Sequence, residues 1–174
     1  MSEFNIRPLE RSDREWVAHF LDERWGTTQV VSRGKAVYGH LLPGFTAERV
    51  VSEETEETDD KDPKSNYVGL VTINAQEKEC EIMTLDSLEP DMGVGTALVQ
   101  AVEGWAKESG IKRLWLVTTN DNLGALKFWQ KRGYKLVMIH RNSIAESRRI
   151  KPQIPITGLD GIPILDEIEL EKLL

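Results

Sequence analysis

Cysteine is nearly missing from this chain. Cys80 stands alone among 174 residues, which excludes an intrachain disulfide and a thiolate metal cluster. Histidine is almost as scarce: His19, His40 and His140 lie far apart, without the close helical spacing of a zinc site, so no metal is expected. No apolar run approaches the length of a spanning helix, and no membrane partner is expected. The opening Met-Ser-Glu-Phe-Asn-Ile-Arg-Pro carries charge where a signal peptide has its apolar core, so cytoplasm is the expected compartment. Positive charge is in deficit as well. Lys and Arg total 22 against 29 Asp and Glu, and a net charge of -7 opposes attraction to phosphate polymers; nucleic acid is not an expected partner.

What is present is ordinary for a globular chain, with 40% apolar and 29% charged residues. A chain of this length would bury roughly 70% of its extended-chain surface on folding. One domain over residues 1–174 is expected, because no repeat and no Gly/Ser-rich linker divides it. Seven acids crowd the stretch from Glu53 to Asp62, so residues 52–65 read as a solvated, flexible loop. Pro152, Pro155 and Pro163 mark a second irregular stretch at 150–163.

The pattern of elements runs as follows. Phe4 to Pro8 alternates as a short strand, and Ser12 with Glu15 predicts a capping box opening a helix that Gly26 ends. Trp16, Val17, Phe20 and Leu21 form its apolar stripe. Val30-Val31 and Phe45 to Val51 look strand-like, with turn signals at Arg33-Gly34 and Pro43-Gly44. Tyr67 to Ala75 and Glu79 to Ser87 predict an antiparallel hairpin. Gly93 to Ser109 is the clearest helix, its inner face carrying Val94, Leu98, Val102 and Trp105. A strand at Leu114 to Val117, a helix from Asn122 to Arg132 and a strand from Tyr134 to Ile139 follow. Near the end Ile168 and Leu170 alternate with acids, as on a half-exposed strand, with a frayed helix as the alternative. Together these predict a mixed α/β fold with a central sheet flanked by helices.

Two segments carry chemistry. Asp91-Met92-Gly93-Val94-Gly95-Thr96-Ala97-Leu98 sets two glycines between a strand and a long helix. There, free N–H groups and the positive end of the helix dipole favour an anion. One strand later comes Asn122-Leu123-Gly124-Ala125-Leu126-Lys127-Phe128-Trp129-Gln130-Lys131-Arg132-Gly133-Tyr134. At about 100° per residue, Asn122, Ala125, Trp129 and Arg132 share a face of that helix.

Gly-x-Gly followed by Asn-x-x-Ala-x-x-Phe-aromatic-x-x-x-Gly-aromatic resembles the GNAT superfamily of acyl-CoA-dependent N-acetyltransferases. The resemblance is best from Tyr67 to His140, and Phe4 to Leu9 with Asp13 is similar to that family's opening strand and helix. It implies a mostly antiparallel central sheet opened between the Glu79-to-Ser87 and Leu114-to-Val117 strands, with acetyl-CoA entering the opening. It further implies that Gly93, Val94, Gly95, Thr96 and Ala97 hold the pyrophosphate. Ser87 and Leu88 would lie where the strand splays for pantetheine, with a backbone N–H there steadying the oxyanion. Asn122, Ala125, Trp129 and Arg132 would meet the cofactor.

Two positions depart from the family pattern. Pro90 stands where relatives have Arg or Gln, with Asp91 adding a negative charge, and Trp129 replaces a tyrosine that protonates the departing thiolate. The general base is Glu81 first and Asp86 second, each with a structural role as the competing reading. Strict alternation sets Glu81 with Met83, Leu85 and Ser87, and Cys80 with Ile82, Thr84 and Asp86. Cys80 reads as a small buried residue before an acylated nucleophile. Arg33 and His40 are candidate contacts for an amine that the sequence leaves unidentified, and the oligomeric state is open, a homodimer included. Two other readings stand beside the enzyme. One is a noncatalytic acyl-CoA-binding module; the other, a dinucleotide-binding domain, lacks the third glycine of that fingerprint.

Overall fold

Strand β1 (Phe4–Pro8) leads into helix α1 (Arg14–Trp25) over residues 9–13, a connection tied together by Asp13. Its carboxylate accepts from the Glu10 N–H at 2.7 Å, from Trp16 Nε1 at 3.0 Å and from the Arg7 guanidinium at 2.7 and 2.9 Å. The Arg7 hydrogen bonds hold its pKa at about 2 against the opposing effect of burial. Asp13, rather than the Ser12–Glu15 box, therefore fixes the start of α1. Gly26 ends the helix with φ 72°, a left-handed cap that favours glycine.

The computed structural model describes residues 4–50, 66–89 and 91–174; the acidic loop at 52–65 and Pro90 lie outside them. The remaining strands are β2 (Gln29–Ser32), β3 (Lys35–Tyr38), β4 (Gly44–Arg49), β5 (Tyr67–Gln76), β6 (Glu79–Ser87), β7 (Arg113–Thr119), β8 (Lys135–His140) and β9 (Glu167–Leu173). Six of these join β1 in one sheet of order β1-β4-β5-β6-β7-β9-β8, while β2 and β3 form a separate hairpin turning at Arg33-Gly34. All neighbours in the sheet are antiparallel except β6 and β7.

Apolar stripes cover both faces. The α1 residues Trp16, Val17 and Leu21 pack on Leu70, with Trp16 stacked 4.0 Å from the Tyr67 ring. On the other face α2 (Val94–Glu108) buries Val94, Leu98, Val99 and Val102 against Val71, Ile73, Cys80, Ile82 and Leu114. Truncating a fully buried leucine such as Leu98 to alanine costs roughly 2–5 kcal/mol at sites of this kind. The close approach depends on Gly69: a Cβ there would come within 2.5 Å of Val94 Cγ1. The start of α2 is thereby held against the centre of the sheet.

Two features of β6 make room for a ligand. It pairs with β7 at Glu79↔Arg113, Cys80↔Leu114 and Glu81↔Trp115 and no further, so Ile82 to Ser87 has no strand partner on that side among the described residues. Against β5 the register steps from Thr84↔Thr72 to Ile82↔Ile73, which leaves Met83 as a bulge. The extra residue reverses the alternation. Glu81, Thr84 and Asp86 share one face, and Cys80, Ile82 and Leu85 pack on the α2 side, in place of the strict alternation expected.

Helix α3 (Leu123–Lys131) and edge strand β8 lie where the sequence pattern sets them. Helix α4 (Ser143–Ile150) was not legible. It buries Ile144 and Ser147, and Arg148 ties it to the carbonyls of Ile154, Pro155 and Ile164. Strand β9 lies between β7 and β8, with Leu170 in the core; its acids Glu167 and Glu169 are buried too, not solvated as a half-exposed strand would have them.

Candidate functional site

The divergence of β6 and β7 opens a cavity of about 380 Å³. Glu81, Ile82, Met83 and Thr84 form one side, and Val117, Thr118, Thr119 and Asn122 the other. Arg24 and Trp25 from the end of α1 and Gln29 to Ser32 of β2 cover it. The fourth wall is Ser147 and Lys151 of the α4 region, with Gln153 to Pro155, Ile164 and Glu167.

Near the split lies the amino end of α2. Gly93 caps it at φ 77° with no side-chain cap bond, and the first helical hydrogen bond runs from Ala97 N–H to the Gly93 carbonyl at 3.0 Å. The amides of Val94, Gly95 and Thr96 precede that bond and have no place in the helical ladder. Arg132 is fixed beside them: it donates to the Phe128 carbonyl at 2.8 Å and to Thr96 Oγ1, and its guanidinium lies 3.4 Å from the Phe128 ring centroid. Burial lowers its pKa, and its buried Nε meets no acceptor among the described residues. A guanidinium at the positive end of a helix dipole is electrostatically unfavourable unless an anion joins it. Asp91, the acid of this turn, is exposed and left-handed at φ 66°.

The expected cofactor face of α3 divides. Asn122 caps the helix, its Oδ1 accepting from Ala125 N–H at 3.0 Å, and also lines the cavity. Arg132 reaches the α2 terminus. Between them Ala125 packs against the core, and Trp129, 5% exposed, sits edge-on to Phe128 and Tyr134 within it. Asn120 and Asp121, which precede the motif, anchor the Pro-rich loop: Asn120 Oδ1 accepts from the N–H groups of Leu165 and Asp166, and Asp121 Oδ2 from that of Leu159.

Glu81 sits at the apex of the split, 9% exposed, and accepts a hydrogen bond from Ser32 Oγ. Burial raises its pKa; the Ser32 bond and the Arg33 charge oppose the rise, and Glu167 and Glu169 add to it. Asp86 is committed elsewhere, accepting from Arg24 Nε at 2.8 Å and Trp25 Nε1 at 3.2 Å, so that it holds the end of α1 over the cavity. Cys80 is fully buried on the opposite face, its thiol pushed up to about 12 by that burial, and offers no thiolate. Ser87 Oγ donates to the Glu89 carbonyl, and the Leu88 N–H is taken by the Val68 carbonyl at 2.9 Å.

Arg33 lies in the β2–β3 turn, its N–H toward Glu167 Oε1 at 3.3 Å and its guanidinium 5.5 Å from the Trp115 ring centroid, lining a groove that shares Ser32, Glu81 and Met83 with the cavity. His40 lines a separate hollow with Leu9, Arg14 and Val17, on the α1 side away from the split. Sequence reasoning missed Glu167 and the α4 wall. On β9, Glu169 is already satisfied: burial would raise its pKa, but hydrogen bonds from His140 at 2.7 Å and Arg113 at 2.6 Å outweigh that and lower it. Glu167 Oε2 is buried and has no partner among the described residues.

Comparison with known proteins agrees with this geometry. A model of the acetyltransferase (GNAT) family matches residues 48–134. The uncharacterized Bacillus subtilis proteins YdhI and YxbD are each 36% identical, covering 97% of this chain and 98% of their own. The IAA acetyltransferase from Bacillus cereus superposes with a TM-score of 0.68 at 19% identity, over 98% of this chain and 99% of that one. A GNAT family acetyltransferase from Elizabethkingia anophelis, solved with acetyl-CoA bound, gives 0.61 at 19% identity over the whole of both chains. At such identities the structural likeness is one of fold.

Proposed function

Since the chain belongs to the GNAT acetyltransferase family, we propose that it transfers an acetyl group from acetyl-CoA to a primary amine by direct attack in a ternary complex. The observation that carries this reading is the three-residue pairing of β6 with β7, which leaves a cleft with buried Glu81 at its apex and the α2 terminus, without a side-chain cap bond, beside it. The amides of Val94, Gly95 and Thr96, with Arg132, hold the pyrophosphate. Gly93 and Ala97 shape the turn that aims them, and the stretch from Ile82 to Leu88 lies along the pantetheine, with Asn122 facing it from the start of α3.

Acetyl-CoA supplies an activated thioester: the amine nitrogen bonds to its carbonyl carbon, and the carbon–sulfur bond breaks. Glu81, with a carboxyl made more basic by burial, takes a proton from the substrate ammonium so that the neutral amine attacks. Because the Leu88 N–H already serves Val68, the donor to the oxyanion comes from the unpaired edge of β6 between Ile82 and Ser87. Trp129 packs in the core and its indole is no acid, so the departing thiolate is protonated from solvent or from the proton Glu81 has gained. Asp86 positions Arg24 and Trp25 rather than acting as base.

Release of CoA thiol in the presence of acetyl-CoA and a panel of primary amines tests the reading. Transfer to at least one amine is the expected result. A second reading, a noncatalytic acyl-CoA-binding module, is favoured by Trp129 in place of an acid, and would appear as acetyl-CoA binding without release.

A further inference from the structure

The α4–β9 wall of the cavity has no part in holding acetyl-CoA, yet it presents unsatisfied polar groups. Glu167 Oε2 and Ser147 Oγ are both buried without a hydrogen-bond partner among the described residues, and their residues, 3% and 1% exposed, both line the cavity. A buried carboxylate oxygen left unpaired is costly, and a cation supplied by a ligand removes that cost. Glu81 lies on the same cavity, so two carboxylates face the place where an ammonium must be received and deprotonated.

A cation closes the other end of the wall. Lys151, the C-cap residue of α4, is half-buried on the cavity lining and is in no ion pair among the described residues. Helix α4 sets the spacing. Its first residue, Ser143, accepts from the Glu167 N–H at 3.1 Å, and its eight residues then span about 12 Å to the Lys151 end. The side chains of Glu167 and Lys151 take up part of that span. Ile144, Ile154 and Ile164 line the same cavity.

We infer that the acceptor is a small amino acid, an amine that also bears a carboxylate on an apolar body, with Glu167 receiving its ammonium and Lys151 its carboxylate. The inference rests on the acetyl-transfer reading above. A simple alkylamine would leave Lys151 facing an apolar group and a peptide amine would offer it a neutral amide, whereas a zwitterion satisfies both ends of the wall at once. Burial lowers the Lys151 pKa, as expected of a cation whose counter-ion arrives with a ligand.

The test is a CoA-release assay on matched pairs that differ by the carboxylate: phenylalanine and phenethylamine, leucine and 3-methylbutylamine, 6-aminohexanoate and pentylamine. At least one acid should exceed its partner in kcat/KM by roughly tenfold or more, because a site built to pair a charge rejects the analogue that lacks it. Lys151→Met should bring the two members of that pair within about threefold of each other, chiefly through KM for the acid, while acetyl-CoA affinity measured by calorimetry stays unchanged. Glu167→Gln should depress both members alike. Amines that match or outrun their acids would overturn the inference, as would equal losses for both members in Lys151→Met, or acetyl-CoA binding with no turnover of any pair member. Absence of acetyl-CoA binding in the unmodified protein would instead sink the acetyl-transfer reading beneath it.

Discussion

The two ends of the cleft are built from different materials. At the α2 terminus the anion-attracting groups are backbone amides released by a helix start, with one guanidinium held beside them by Phe128 and Thr96. At the apex the groups are cation-attracting carboxylates from β6 and β9, buried by the β2–β3 hairpin and α4. The first end tolerates most side-chain changes, because its donors belong to the main chain. The second depends on single side chains and keeps an energetic cost in the folded state, since a buried carboxylate is charged only at the expense of hydration.

That contrast is sharpest for Glu81. Glu81→Gln should lower turnover by roughly 100-fold or more while leaving acetyl-CoA affinity unchanged, because general-base catalysis is commonly worth that much. Near-normal turnover would move the base to water and break the distinction between the two ends. The activity of the unmodified protein should rise with pH along one limb, its midpoint above the ordinary carboxylate range because burial raises the Glu81 pKa.

At the other end Arg132→Ala should weaken acetyl-CoA binding by about tenfold, the usual scale of a charge-assisted hydrogen bond, with kcat little changed. Calorimetry on the variant decides it; an unchanged affinity would leave the backbone amides as the whole of the anion site. Trp129→Phe should keep turnover within about threefold, because a large apolar ring still fills its place against Tyr134. Collapse of turnover with acetyl-CoA binding intact would show that the indole N–H takes part in the reaction.

The smallest effect concerns stability. A folded-state pKa raised above the unfolded value gives a contribution that is full below the unfolded pKa, about 4.3 for glutamate, and is lost as pH rises through the folded value. Glutamine at position 81 escapes that loss. Glu81→Gln should therefore melt above the unmodified protein near about pH 7, with the gap closing toward about pH 4. A gap that widens on acidification would contradict the assigned cause.

These ends also differ in how readily they are read from sequence. Gly93 to Ala97 and Asn122 to Tyr134 are contiguous, so turn glycines, a cap and helical spacing all fall within one window. Glu81 stood out as an acid in an apolar strand. Glu167 did not, because an acid alternating with Ile168 and Leu170 has the pattern of a solvated strand face, and only the cover supplied by distant segments makes it buried. Helix α4 presents two buried positions among polar residues, too few for a periodic signal, and is held by Arg148 contacts to carbonyls that lie several residues away. The Met83 bulge is one inserted residue with no composition of its own, yet it moved Asp86 onto the Glu81 face and into its bonds with Arg24 and Trp25.

The most direct test of the central claim is a calorimetric titration of acetyl-CoA into the unmodified protein and into Gly95→Trp. A Cβ added at Gly95 would lie 3.3 Å from Phe128 Cε2, so an indole there crowds the α2 turn. The account predicts saturable one-site binding that weakens by at least roughly tenfold, or ~1.4 kcal/mol, in the variant. No binding by the unmodified protein, or equal affinity in the two, would contradict it.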